Sequence, residues 1–139
     1  GDRVRSAAFK YAHPMPAADV AHVAEQDEIL TVGRYDFRFV MAPGHCSGSM
    51  CVSATIEDQV VLFSGDAVLP PRFDGRIDSV DYDAAAEVAS LRRLMEQEPD
   101  VIMPGHGFPC MQRGIHWIEH RLMRVLARMQ RTAPAEPLD

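Results

Sequence analysis

Three short segments of this 139-residue chain share one pattern, and that pattern restricts the fold more than any other feature of the sequence. They are 42–49 (APGHCSGS), 62–66 (LFSGD) and 103–107 (MPGHG). Each contains or follows an apolar, β-branched run and ends in a glycine-bearing turn that carries one His or Asp. Glycine lets the backbone turn sharply after a strand and so brings the next side chain over the edge of the sheet. The pattern therefore predicts a site built at the ends of several strands.

Composition and charge narrow the class of protein. We expect a single domain, because the chain has an ordinary domain length and 47% hydrophobic residues. The formal net charge of -6 offers no basic surface to nucleic acid. No apolar run approaches the ~18 to 20 residues of a membrane-spanning helix. The three cysteines, Cys46, Cys51 and Cys110, include no C-x-x-C pair, so we expect a reducing compartment, the cytoplasm.

Hydrophobic periodicity predicts five strands and two helices. The strands are expected at 28–32, 35–41, 50–56, 60–64 and 101–103, and the helices at 84–97 and 112–130. In the second strand Tyr35, Phe37 and Phe39 alternate with polar residues, which predicts a hairpin with one buried face. Residues 1–27 are expected to be an irregular lead-in, within which 17–24 could form a short helix, and residues 132–139 a flexible tail.

Charged residues near the two helices are interpreted as caps and solvated faces. Asp83 is expected to cap the first helix, and helix capping also explains the neighbouring Asp81. A cluster of five arginines is expected to form a solvated face of the last helix. They are Arg113, Arg121, Arg124, Arg128 and Arg131. The buried stripe of that helix is expected to be Ile115, Ile118, Leu122, Val125 and Met129.

The three segments resemble the motifs PGH[ST]xGS, SGD and PGHG in the second half of the metallo-β-lactamase superfamily of zinc hydrolases. The dipeptide His120-Arg121 is a weaker match, to glyoxalase-II-like members. The resemblance implies that His45 and His106 bind metal and that Asp66 bridges two metal ions at the catalytic centre. It implies zinc as the cofactor, with iron or manganese as alternatives, in a two-metal site of the complete domain. Cys46 stands where the family has Thr or Ser; its thiol could bind metal, and a small buried neighbour is the favoured interpretation.

The family's first-half motif, HxHxDH, is absent from these 139 residues. The resemblance therefore implies an α/β fold that is half of an αββα sandwich: a mostly antiparallel sheet with flanking helices. Residues 1–139 would be the C-terminal half of that domain. Half a sandwich leaves one sheet face bare, so we expect something to cover the face that bears Phe37 and Phe39. The candidates are an N-terminal half-domain, a second copy, or a further part of a longer chain.

The resemblance implies a metal-dependent hydrolase. Its substrate would be a small molecule with an ester, thioester, lactone or similar bond, attacked by a metal-activated hydroxide. The remaining metal ligands would come from a missing N-terminal half or a partner. The alternative is a non-catalytic half-domain that serves as a binding or assembly partner. An HxHxDH segment upstream in the same gene, or in a neighbouring gene, would favour the enzyme.

A second segment of the sequence also matches a metal-binding motif. Residues 116–120 (HWIEH) fit H-x-x-E-H, which places two histidines on one face of a helix in some zinc peptidases. Such a site needs a third ligand far downstream, which we expect to be missing because the sequence ends at Asp139. We therefore expect His116 and His120 to be surface or boundary residues.

Overall fold

The computed structural model describes residues 19–72 and 81–132, which form one sheet with two helices. The elements are β1 Ile29–Val32, β2 Tyr35–Met41, β3 Met50–Ile56, β4 Gln59–Gly65, α1 Ala84–Met95, β5 Val101–Pro104 and α2 Ile115–Thr132. Residues 19–24 are irregular, as expected for the lead-in, and do not form the short helix considered for 17–24. Residues 1–18 of the predicted lead-in and 133–139 of the predicted tail lie outside the described residues.

The five strands lie in the order in which they occur along the chain. The pairs β1–β2, β2–β3 and β3–β4 are antiparallel, and β4–β5 is parallel. A tight turn at Glu57 and Asp58, both with positive φ, closes the β3–β4 hairpin. The parallel pair requires a crossover, and α1 supplies it. The expected α/β, mostly antiparallel architecture is confirmed.

Strand direction decides where the three loops of the sequence pattern meet. Strands β2 and β4 both run antiparallel to β3, and β5 runs parallel to β4. All three therefore end at the same edge of the sheet. The loops after β2, β4 and β5 carry His45, Asp66 and His106, respectively.

The two helices pack on one face of the sheet and form the core with it. Leu62 and Ile102 are fully buried at the centre of this face, and Val40 joins them from β2. The helices contribute Leu91 and Leu94 from α1, and Ile118 and Val125 from α2. Within the predicted stripe of α2, Ile118 and Val125 are buried as expected, whereas Ile115 is only partly buried and Met129 is exposed.

The opposite face is apolar and partly open. Cross-strand partners share a face, so the registers place the β2 aromatics on the same face as apolar residues of β1, β3 and β4. The exposed large apolar residues on this face are Leu30, Val32, Met41, Met50 and Phe63. Tyr35, Phe37 and Phe39 are half-buried. Ala54, Val61 and Val101, on the same face, are buried. The fully buried residue of β2 is Val40, on the helix side, so the face that bears Phe37 and Phe39 is the one that the helices leave uncovered.

Both helices differ from their predicted ends for local reasons. Helix α1 ends at Met95, before the left-handed Glu98 (φ +47) and Pro99, and does not reach residue 97. Helix α2 begins at Ile115 and not at 112, because Arg113 adopts a left-handed conformation with φ +55. Asp83 caps α1 as predicted, accepting from the amides of Ala85 at 2.9 Å and Ala86 at 3.0 Å.

No helix in the described part of the chain is long and apolar enough to span a membrane.

A leucine-to-alanine substitution should lower the free energy of unfolding by different amounts on the two faces of the sheet. Leu62 is 0% exposed on the helix side and Leu30 is 45% exposed on the open side. We expect Leu62→Ala to lower the free energy of unfolding of the 139-residue chain by about 2 to 5 kcal/mol. Leu30→Ala should cost about 1 kcal/mol or less, because the side chain is half in water already. Urea titration measures both, at protein concentrations too low for association through the open face. Equal losses would contradict an open second face.

Candidate metal centre

The loop that carries His45 is a compact turn closed on itself. The Ala42 amide donates to the Ser49 carbonyl at 2.9 Å, and the Ser49 amide donates to the Cys46 carbonyl at 3.2 Å. Gly44 has φ +147 and lies against helix α1: a Cβ added there would sit 2.5 Å from the Cα and Cβ atoms of Glu87. Only glycine allows both this conformation and this approach.

Asp66 is displayed by an irregular end of β4. The pairing with β5 shifts register between Phe63 and Gly65, and Gly65 turns the chain with φ +51. The Ser64 hydroxyl donates to the Val68 carbonyl at 2.8 Å and closes the following loop. The Asp66 side chain is left 27% exposed at the sheet edge.

The His106 loop is tied at its base and to the Asp66 loop. Ile102 and Cys110 exchange two backbone hydrogen bonds of 2.9 Å, which hold the loop's two ends together. The Gly105 amide donates to the Gly65 carbonyl at 2.8 Å. A Cβ at Gly105 would lie 2.8 Å from Asp66 Oδ1, so the glycine gives the carboxylate its room.

The structure brings the three sequence-predicted site residues together around Asp66. His106 Nδ1 donates to Asp66 Oδ1 at 2.7 Å, and His45 Nε2 lies 3.7 Å from Asp66 Oδ2. Two ligands on one tetrahedral zinc ion are about 3.4 Å apart, given metal–ligand bonds of about 2.1 Å. The His45–Asp66 separation is close to that value. His106 and Asp66 are joined by a direct hydrogen bond. If Asp66 is to bridge two cations, Oδ1 must lose this hydrogen bond and bind a metal instead.

The three side chains are of the types that bind zinc, but they are too few to complete a zinc site. Imidazole nitrogen and carboxylate oxygen are both zinc ligands, and a zinc ion takes four. Among residues 19–72 and 81–132, no group of three or more His, Cys, Asp or Glu side chains is arranged to hold a metal ion. His45, Asp66 and His106 are thus at most part of a ligand set, and metal binding by them stays a prediction.

Three other side chains that the sequence offered as possible metal ligands have other surroundings. Cys46 is partly buried and its Sγ lies 3.1 Å from Ser49 Oγ, in keeping with a small neighbour inside the turn. His116 and His120 are both exposed on α2, as expected, and His116 Nδ1 pairs with Glu119 Oε2 at 2.8 Å.

The side chains that hold the His45 loop against α1 could not be predicted from the sequence. The Ser90 hydroxyl donates to the Pro43 carbonyl at 2.7 Å, and the Arg93 guanidinium donates to the Met41 carbonyl at 2.9 Å. Asp81 does not cap α1; its Oδ2 accepts from the Ser47 amide at 2.8 Å. These partners are 34 to 52 residues apart in sequence, and local patterns do not signal such pairs.

A buried acid on α1 was also missed. Glu87 is 3% exposed and accepts from Arg121 Nε at 2.6 Å and from the Tyr82 hydroxyl at 2.7 Å. Burial, reinforced by the hydrogen bond to Glu87, raises the pKa of Tyr82 to about 12. The prediction of a solvated arginine face is wrong for Arg121, whose side chain is 13% exposed. The available signal was Glu87 itself, an acid between Ala84 and Leu91 on the apolar stripe of α1.

The contact between Gly44 and α1 predicts a severe effect of a single methyl group. We expect Gly44→Ala to lower the free energy of unfolding by about 1 to 3 kcal/mol, because the residue must overlap Glu87 and keep a positive φ. Gly48→Ala is the control, since a Cβ at Gly48 meets nothing within 4 Å. Urea titration of both variants measures the loss of unfolding free energy. Similar losses in Gly44→Ala and Gly48→Ala would contradict the close contact.

Known proteins resemble this chain in sequence family and in fold. The family model described as the metallo-beta-lactamase superfamily matches residues 2–106. A metallo-beta-lactamase family protein from Thermus thermophilus aligns at TM-score 0.62 and 23% identity, covering 78% of this chain and 36% of that one. An archaeal superfamily protein from Sulfolobus tokodaii aligns at TM-score 0.59 and 22% identity, covering 94% and 50%.

A third solved structure, the B3 metallo-beta-lactamase BLEG-1, aligns at TM-score 0.62 and 27% identity, covering 79% of this chain and 52% of its own. The chain thus spans between 36% and 52% of the length of these three relatives. The first two likenesses show the fold, and the family match extends over most of the sequence. The chain belongs to the metallo-beta-lactamase superfamily.

Proposed function

We propose that residues 1–139 form the C-terminal half of a metal-dependent hydrolase domain and supply part of its two-metal centre. The observation that carries this proposal is the meeting of His45, Asp66 and His106 at one sheet edge, from three separate loops. Three metal-competent side chains on three glycine-containing turns need a common reason to converge. Metal binding would supply that reason.

Each of the three residues has a role in the proposal. Asp66 directs one oxygen towards His106 and the other towards His45, which suits a carboxylate shared between two cations. His106 would bind the second cation, and its hydrogen bond from Nδ1 to Asp66 Oδ1 would then be replaced by the bond from Oδ1 to a metal. A bound pair of zinc ions would supply a hydroxide near neutral pH for attack on a carbonyl group, and iron or manganese could replace zinc.

The remaining ligands must come from elsewhere. The 139 residues contain no HxHxDH motif, and they span about half or less of the aligned relatives. The partly open apolar face of the sheet gives an N-terminal half, in the same longer chain or in a partner, a surface on which to pack. Pairing between two copies through this face is the alternative.

The proposed substrate is a small molecule with an ester, thioester, lactone or similar bond. The resemblance to hydrolases supports this class. The three free cysteines support a reducing location, the cytoplasm.

One observation favours a second candidate function. The described residues hold no complete metal site, and His106 is bonded directly to Asp66. A half-domain in which this pair only joins two loops would act as a binding or assembly partner and not as an enzyme.

Metal binding distinguishes the two candidates. We expect Asp66→Asn to weaken zinc binding at least tenfold, because an amide is a much poorer ligand than a carboxylate. Asp83→Asn is the matched control: it removes a carboxylate from a neighbouring loop, and asparagine still caps a helix. Calorimetric titration with Zn²⁺ measures both, in the protein with any partner that copurifies. Equal and small effects of the two substitutions would favour the non-catalytic half-domain.

The open face predicts that the chain alone is not a stable monomer. Sedimentation velocity over a hundredfold range of concentration should show association above 15.5 kDa. Phe63→Lys, on the open face, should reduce association, whereas Met123→Lys, exposed on α2, should not. A 15.5 kDa monomer with two tightly bound metals and hydrolase activity would refute the half-domain proposal.

A further inference from the structure

Helix α2 lies beyond residue 106, where the family match ends, yet one of its side chains enters the support of the candidate site. Arg121 Nε donates to Glu87 Oε1 at 2.6 Å, and the two side chains are 13% and 3% exposed. A buried pair of opposite charges is costly to break from one side, since the remaining charge is left without a partner in a medium of low polarity. The position of Glu87 therefore depends on Arg121.

Glu87 in turn supports the turn before His45. Its Cα, Cβ and amide nitrogen form the surface against which Gly44 rests, with no room for a methyl group between them. Its second carboxylate oxygen accepts from the Tyr82 hydroxyl, on the segment that leads into α1. The ion pair thus fixes the part of α1 that touches the loop.

Three further contacts hold the same loop to α1 and to the segment before it. The Ser90 hydroxyl donates to the Pro43 carbonyl, the Asp83 amide donates to the Gly44 carbonyl at 3.0 Å, and the Ser47 amide donates to Asp81. These contacts bracket His45 on both sides. The backbone that presents His45 is therefore set by α1 as well as by the end of β2.

We propose that Arg121 is a positioning residue for the candidate metal centre: by pairing with buried Glu87 it holds α1 against Gly44 and so keeps His45 opposite Asp66. The proposal rests on the proposed function only in taking His45 as a ligand. A simpler role, in which the pair merely joins α1 to α2, predicts a different experimental result.

Hydrogen–deuterium exchange separates positioning from simple packing. The variant is Arg121→Met, and Arg131→Met is the matched control on an exposed turn of the same helix. We expect the loop-contact amides of Ser47 and Asp83 to exchange at least tenfold faster in Arg121→Met than in the control. The amides of β3 should change much less. A uniform increase throughout the protein, or none in the loop, would overturn the proposal.

Glu87→Gln covers the case in which Arg121→Met does not fold. The amide keeps an acceptor for the Tyr82 hydroxyl and loses the charge that Arg121 pairs with. We expect exchange at Ser47 and Asp83 at least threefold faster than in wild type, again with little change in β3. An equal increase in the exchange rate of the β3 amides would contradict a positioning role.

A metal titration separates this proposal from the proposed function. If both hold, Arg121→Met and Asp66→Asn each weaken Zn²⁺ binding, by at least threefold and at least tenfold. If Asp66→Asn has no effect, the proposed function fails, and the exchange pattern alone still decides whether Arg121 positions the loop. If Asp66→Asn weakens binding and Arg121→Met does not, the positioning proposal fails and the proposed function stands.

Discussion

The approach of Gly44 to the backbone of Glu87 is the contact on which the candidate site most depends. It joins the end of a strand to the first turn of α1 at a distance that no other residue allows. Because Glu87 is buried and bonded to Arg121 and Tyr82, it cannot move aside without exposing or unpairing a charge. A loop that would otherwise be a flexible turn is thereby attached to both helices, and His45 is presented from a fixed base.

The sheet supplies the second constraint. Parallel pairing of β4 with β5 brings two loops side by side, and the bond from the Gly105 amide to the Gly65 carbonyl joins them directly. Asp66 and His106 are then neighbours through backbone geometry, 40 residues apart in sequence. The helices and the sheet hold different parts of the centre: His45 depends on α1, and the Asp66–His106 pair depends on the β4–β5 edge.

Much of this arrangement could be predicted from the sequence. Strand alternation, apolar runs and glycine turns are local signals, so the five strands and the convergence of the three loops followed from them. The partners of Glu87 could not be predicted, because a buried ion pair across 34 residues depends on how two helices pack. The predicted start of α2 was wrong because the left-handed conformation of Arg113 delays the helix to Ile115. The alternation of residues in β2 does not indicate which face of the sheet the helices cover. Local patterns predict which residues share a face, and tertiary packing decides what that face meets.

The two ends of the sheet differ in their freedom to accept another strand. On the outer side of β5, Ile102 already exchanges its backbone hydrogen bonds with Cys110, so the return of the His106 loop blocks that edge. At the other end, β1 pairs only with β2 among the residues that the structure describes. Any strand that extends this sheet would therefore join beside β1. Growth at that end would leave the β4–β5 edge, three strands away, as it is, so the sheet can be enlarged without rebuilding the pair formed by Asp66 and His106.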